Sequence, residues 1–229
     1  MPYTSLDQTR ILATIERLHE RIEQRFPNAS LRQVAAELVD VGRRHAAQSE
    51  AALRPNWGLR AISAVMLTLG IAALALLLTS VRRYEPENMH LFALLQSLES
   101  GLSMLFLLAA SVVLLTSLEL RRKRNRVIAA LHQLRALAHV VDMHQLTKDP
   151  DHALHKDRTC DTQSSPRRSL NRYDLTRYLD YCTEMLALMG KLAALYAQSF
   201  PDSQAVAAVD AIEDLTTGLS RKIWQKIMI

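Results

Sequence analysis

Residues 61–81 read AISAVMLTLGIAALALLLTSV, a run of 21 positions without a charged side chain. As a helix rising 1.5 Å per residue, such a run is roughly 31 Å long, enough to cross the hydrocarbon core of a bilayer. Trp57 and Tyr84 stand just outside its two ends, where amphipathic rings prefer the membrane–water interface. Pro55 and Asn56 separate the run from the helical pattern before it, because proline cannot continue a helix.

A second uncharged run, SGLSMLFLLAASVVLLTSL, covers residues 100–118 between Glu99 and Glu119. It is roughly 28 Å long as a helix. A soluble core helix is rarely apolar on every side for this length, and two in succession are rarer still. The expected architecture is therefore all-α: a two-span transmembrane helical hairpin whose N- and C-terminal cytoplasmic helices form a helical bundle. The domains expected are an N-terminal helical hairpin over 1–55, the transmembrane hairpin over 57–120, and a helical region over 121–229. A polar loop at about 149–171 interrupts the last of these.

Lys and Arg near the ends of the spans set the orientation, since they concentrate in cytoplasmic flanks. Arg43, Arg44, Arg54 and Arg60 precede the first span. Arg121, Arg122, Lys123, Arg124 and Arg126 follow the second, and only Arg82 and Arg83 lie in the connecting loop. Both termini are thus expected in the cytoplasm, with the protein in a membrane of the bacterial inner or plasma type. The first fifty residues are polar, so a cleavable signal peptide is not expected. The formal charge of +5 comes from 28 Lys and Arg against 23 Asp and Glu. The densest basic run abuts an apolar segment, which points to anionic lipid headgroups near 121–126 and not to nucleic acid.

Outside the spans the apolar residues fall at helical spacing. Ile11, Ile15, Leu18 and Ile22 form one stripe, Leu31, Val34, Leu38 and Val41 another, and Ile212, Leu215, Leu219, Ile223 and Ile227 a third. Phe26-Pro27-Asn28 and Phe200-Pro201-Asp202 each read as the joint of a helical hairpin. Between Pro86 and Pro150 only Gly101 interrupts the pattern, so one nearly continuous helix is expected to carry span two onward. Its stripe of Ile128, Leu131, Leu134 and Val141 is expected to pair with a second subunit and make the protein a homo-oligomer.

Chemistry-bearing patterns are thin. His139 and Asp142 share a helical face, and His152 and His155 would do so in a helix. These four are the candidate metal ligands. No HExxH, CxxC or comparable framework accompanies them, and no metal or other cofactor is expected. Arg172, Tyr173, Asp174, Arg177, Tyr178, Asp180 and Tyr181 form a polar–aromatic face suited to helix-surface ion pairs. Cys160 and Cys182 are read as free thiols. Gly-rich phosphate loops, nucleophile elbows and paired-carboxylate patterns are absent from the sequence. The expected function is that of a non-enzymatic, self-associating membrane scaffold or sensor. An oligomeric pore built from two-span subunits is the alternative.

Overall fold

In the computed structural model the described residues are 5–53, 57–83, 91–148, 163 and 170–228. Among them are six helices and no strand. They are α1 (Gln8–Arg25), α2 (Ser30–Leu53), α3 (Trp57–Arg83), α4 (Leu91–Leu146), α5 (Arg172–Ser199) and α6 (Ser203–Ile227). Helix α4 is continuous for 56 residues, about 84 Å. The expectation of one long helix between the two prolines is met to within a few residues at each end.

The helix ends have local causes. Asp7 caps α1, its carboxylate accepting from the backbone N–H groups of Thr9 and Arg10, and Asp202 caps α6 through Gln204 and Ala205. Such side-chain acceptors satisfy N–H groups that a first helical turn leaves unpaired. Phe26 and Phe200 close α1 and α5 in similar non-helical conformations, each donating its N–H to the carbonyl four residues back.

The chain divides into two compact units, residues 1–53 with 124–229, and residues 54–123. The larger unit has one hydrophobic core to which residues from both ends of the sequence contribute. Helix α5 lies at its centre, with apolar residues buried on nearly every side, among them Leu179, Met185, Leu186, Met189 and Leu192. Close approach of its neighbours requires small residues. A Cβ on Gly42 of α2 would stand 3.2 Å from Leu12 of α1, and one on Gly190 of α5 would stand 3.2 Å from Thr216 of α6.

Polar contacts fix the helix directions in this unit. Arg124 near the start of its part of α4 pairs with Asp202 at the start of α6, and Lys226 at the end of α6 donates to the Gln145 carbonyl. Helices α4 and α6 therefore run parallel. Helix α2 runs opposite to α4, because Ser30 meets His144 while His45 lies beside Gln133. Arg25 pairs with Asp174 and Arg21 with Glu184, whereas Leu6 donates to Gln198, so α1 is antiparallel to α5. In this register Leu53, where the chain leaves the unit, falls near the level of Arg124, where it returns.

One expectation is corrected here. The α4 stripe is not left over for a second subunit. Leu131, Leu134 and Val141 are 2%, 0% and 0% exposed within the chain's own core, and Ile128 is half-buried. The physical reason is that α2 and α6 lie against α4, and the shared core covers its stripe.

His45 of α2 is buried in this core at 1% exposure. Its ring meets Tyr196 edge-on at 5.4 Å, and the Tyr196 hydroxyl donates to the His45 carbonyl. Neither ring nitrogen makes a hydrogen bond of normal geometry, although the Gln133 side chain lies near enough to favour the charged form slightly. Burial, with Arg44 adding repulsion, lowers its pKa from 6.5 to about 4. The folded chain therefore binds this proton less readily than the unfolded chain. Stability is complete above the unfolded value of 6.5, falls as the pH drops from 6.5 towards 4, and changes no further below that. Acidification from pH 7 to pH 5 is expected to cost about 2 kcal/mol through this residue. Thermal melting followed by circular dichroism should show that loss in the wild type and a smaller one in His45→Phe. Parallel pH profiles for the two proteins would contradict it.

Candidate membrane interface

Two helices are long and apolar enough to cross a membrane. They are α3, with its apolar window within Trp57–Leu76, and α4 from Leu98 onward. A core helix of a soluble protein passes the same test of length and composition, but its side chains are covered by the rest of the fold. Here they are not. Val65, Leu69, Ile71 and Leu76 of α3 are exposed, as are Leu102, Phe106, Leu107 and Leu114 of α4. A contiguous apolar surface of this extent is far larger than a soluble monomer leaves in water.

Five hydroxyls of these helices are satisfied by their own backbone. Ser63, Thr68 and Thr79 donate to the carbonyls of Arg60, Val65 and Leu76, and Ser111 and Thr116 to those of Leu107 and Val112. Hydroxyls bonded back to their own helix need no water, a condition hydrocarbon imposes on any group within it. Trp57 is 76% exposed at the start of α3, a fitting position for an interfacial ring. Tyr84 lies outside the described residues.

Within the smaller unit α3 and α4 meet at Gly70, the one buried residue among the described side chains of α3. A Cβ there would stand 2.1 Å from the Leu108 side chain, so a substitution forces Leu108 aside. Beside this contact is an apolar cavity of about 390 Å³, lined on one side by Leu67, Ile71 and Leu74 and on the other by Met104 and Val112. Gly101 lines it too. The small-residue strip Ala64, Thr68 and Ala72 is exposed, on the side of α3 away from Gly70.

The basic cluster after the second apolar run separates into two sets. Arg124 is committed to the larger unit: its Nε and Nη2 donate to the two carboxylate oxygens of Asp202 at 2.9 and 2.6 Å. That pairing, reinforced by the N–H groups of Ala205 and Gln204, holds the Asp202 carboxyl below the usual carboxylate range. Lys123 pairs with Glu119 one turn earlier at 3.3 Å. Arg121, Arg122 and Arg126 are exposed and have no acidic partner among the described residues.

The candidate metal ligands are not brought together. Asp142 accepts from the Gln145 side chain at 2.6 Å and His139 is exposed. His152 and His155 lie outside the described residues. No cluster of three or more ligand-capable His, Cys, Asp or Glu occurs among the described residues. The polar–aromatic face of α5 is an ion-pair surface. Tyr173 is flanked by the guanidiniums of Arg25 and Arg177, Arg177 pairs with Asp180, and Tyr178 and Tyr181 pack edge-on against Phe26. Burial pushes the Cys182 thiol up to about 12, which leaves it unreactive at neutral pH. The chain matches no family model, no curated protein and no solved structure.

Proposed function

We propose that the protein is a two-pass integral membrane scaffold without enzymatic activity, in which α3 and the first part of α4 cross the bilayer as a hairpin. The remaining helices form a cytoplasmic bundle that meets partners. One observation carries the topology. Segments before the first apolar helix and after the second share a core, and the chain leaves and rejoins that core at the same end. Such a core can assemble only when both segments lie on the same side of the membrane, which requires an even number of crossings. The nine basic residues flanking the pair, against two in the connection, favour the cytoplasm for that side. The bundle offers partners an outer surface of ion pairs and of aromatic rings beside arginine. Self-association, which the α4 stripe no longer supports, falls to lipid-facing surfaces such as the Ala64, Thr68 and Ala72 strip. The multi-subunit pore gains no specific support from the apolar hairpin.

Single-cysteine variants at Ser5 and Glu87, with both natural cysteines replaced, test this reading. An impermeant maleimide applied to intact cells is expected to modify the cysteine at 87 at once and that at 5 only after permeabilisation. Modification of both from the same side would refute the two-pass topology.

A further inference from the structure

The two apolar helices touch closely where Leu108 fills the notch at Gly70, and beside that contact they leave the cavity of about 390 Å³ between them. Its walls are one face of each helix, from Leu67 to Leu74 on α3 and from Gly101 to Val113 on α4. The lining positions recur every three or four residues, so the cavity is a cleft along the helix axes, about 10 Å long on α3 and about 18 Å on α4. Spread over those lengths, the 390 Å³ amounts to a cross-section of about 20–40 Å² and a width of roughly 5–6 Å. A second helix, about 10–12 Å across with its side chains, is too wide to enter. The elongation suits a linear chain. No lining side chain carries a nitrogen or oxygen, so a polar group or a water molecule finds no partner there.

We propose that this cleft is a binding site for one acyl chain of a membrane phospholipid. The proposal rests on the two-pass reading. Carbon–carbon bonds of about 1.5 Å advance an extended chain by roughly 1.25 Å per carbon, so about 8–14 carbons occupy the cleft. Depth selects the source. Leu67 and Leu74 bound the middle of the uncharged run 61–81, which a spanning helix places near the bilayer midplane, a depth that phospholipid tails reach and headgroups do not. The attraction is one of packing, since hydrocarbon holds no water to expel. A chain in the cleft meets Leu67 and Ile71 on one side and Met104 and Val112 on the other, whereas a chain on the outer surface of a helix meets side chains on one side only. Each added contact at about 3.5–4.0 Å contributes dispersion energy. Selectivity is thus for the tail and not for the headgroup.

The test uses the full chain in phosphatidylcholine vesicles that contain a trace of phosphatidylcholine with a diazirine midway along one acyl chain. Irradiation attaches the chain to the residues it touches, and mass spectrometry of the peptides locates them. Leu67, Met104 and Leu108 are expected to be labelled about fivefold more than Leu102, Phe106 and Leu107, which are exposed but outside the cleft. Ala109→Phe, which puts a ring into the cleft, should abolish that excess. Ala110→Phe, one position on and outside the lining, should keep it, and so should a probe and vesicles of phosphatidylglycerol. Uniform labelling around both helices, an excess that survives Ala109→Phe, or one that depends on the headgroup would overturn the site. So would loss of the excess on adding dodecanoate, which would mark a free fatty acid as the occupant. An excess that appears only when the protein is diluted to single chains in vesicles would overturn it too, by showing that a second copy fills the cleft. Failure of the site alone leaves Leu102, Phe106 and Leu107 labelled, whereas a wild type labelled at neither set of residues would refute membrane insertion itself.

Discussion

Leu134→Ala is expected to lower the stability of the helical bundle by about 2–5 kcal/mol, and Leu134→Asp to unfold it. Leu134 is fully buried, next along the stripe to Leu131, itself 2% exposed. Removing a buried leucine side chain loses its transfer free energy and leaves a cavity that the neighbours fill only in part. Aspartate adds the cost of an unpaired buried charge. For a unit of this size each kcal/mol moves the melting temperature by roughly 2–4 °C, so the alanine variant should melt at least several degrees below the wild type in the same detergent. Were it to melt unchanged while the hydrodynamic size of the protein fell, the α4 stripe would be an intersubunit surface and not part of the chain's core.

Leu74→Arg is the second large effect. Leu74 sits in the interior of the α3 apolar run and lines the cavity against α4. On insertion scales an arginine at the centre of a transmembrane helix costs about 2.5–3.5 kcal/mol, a shift of roughly a hundredfold or more in the insertion equilibrium. Its nearest polar neighbours, Thr68 and Thr79, already bond to their own backbone and offer little compensation. Leu74→Ala keeps the run apolar and should insert normally. Membrane integration scored with a glycosylation acceptor in the segment between the spans measures both variants. Full integration of Leu74→Arg would mean that this part of α3 is not surrounded by lipid.

The helices were legible in the sequence because their signals are local. Apolar spacing and the Phe-Pro joints place α1, α2, α5 and α6 within a few residues, and uncharged length picks out the two apolar helices. What the sequence hid was which apolar face meets which. The stripe of α4 looks the same whether it is destined for another helix of the chain or for another copy, and the choice depends on the register of α2 and α6 along it. Arg124 carried a readable signal that was overridden by its neighbours. It lies three residues before Val127 and seven before Leu131, in phase with the buried stripe, and Gln145 continues the same phase at the far end. Within a run of basic residues it reads as a headgroup ligand, although its phase places it against the fold. His45 gave no such signal, since a histidine among alanines and arginines on a helix is ordinarily a surface residue.

The core of the bundle joins segments that leave the ribosome far apart in time. The start of α5 lies about 120 residues beyond the end of α2, which at about 5–20 residues per second is roughly 6–24 s of synthesis. Throughout that interval the α1–α2 hairpin is complete in sequence but lacks the helix that covers Leu31, Leu38 and His45. On the two-pass reading, both apolar helices are delivered to the bilayer before the partner helices are made. On that reading insertion precedes completion of the core, and a nascent chain stalled at the translocon would display uncovered leucines to chaperones and proteases. The abundance of the protein in cells should consequently follow insertion efficiency more steeply than the stability of the finished bundle would suggest.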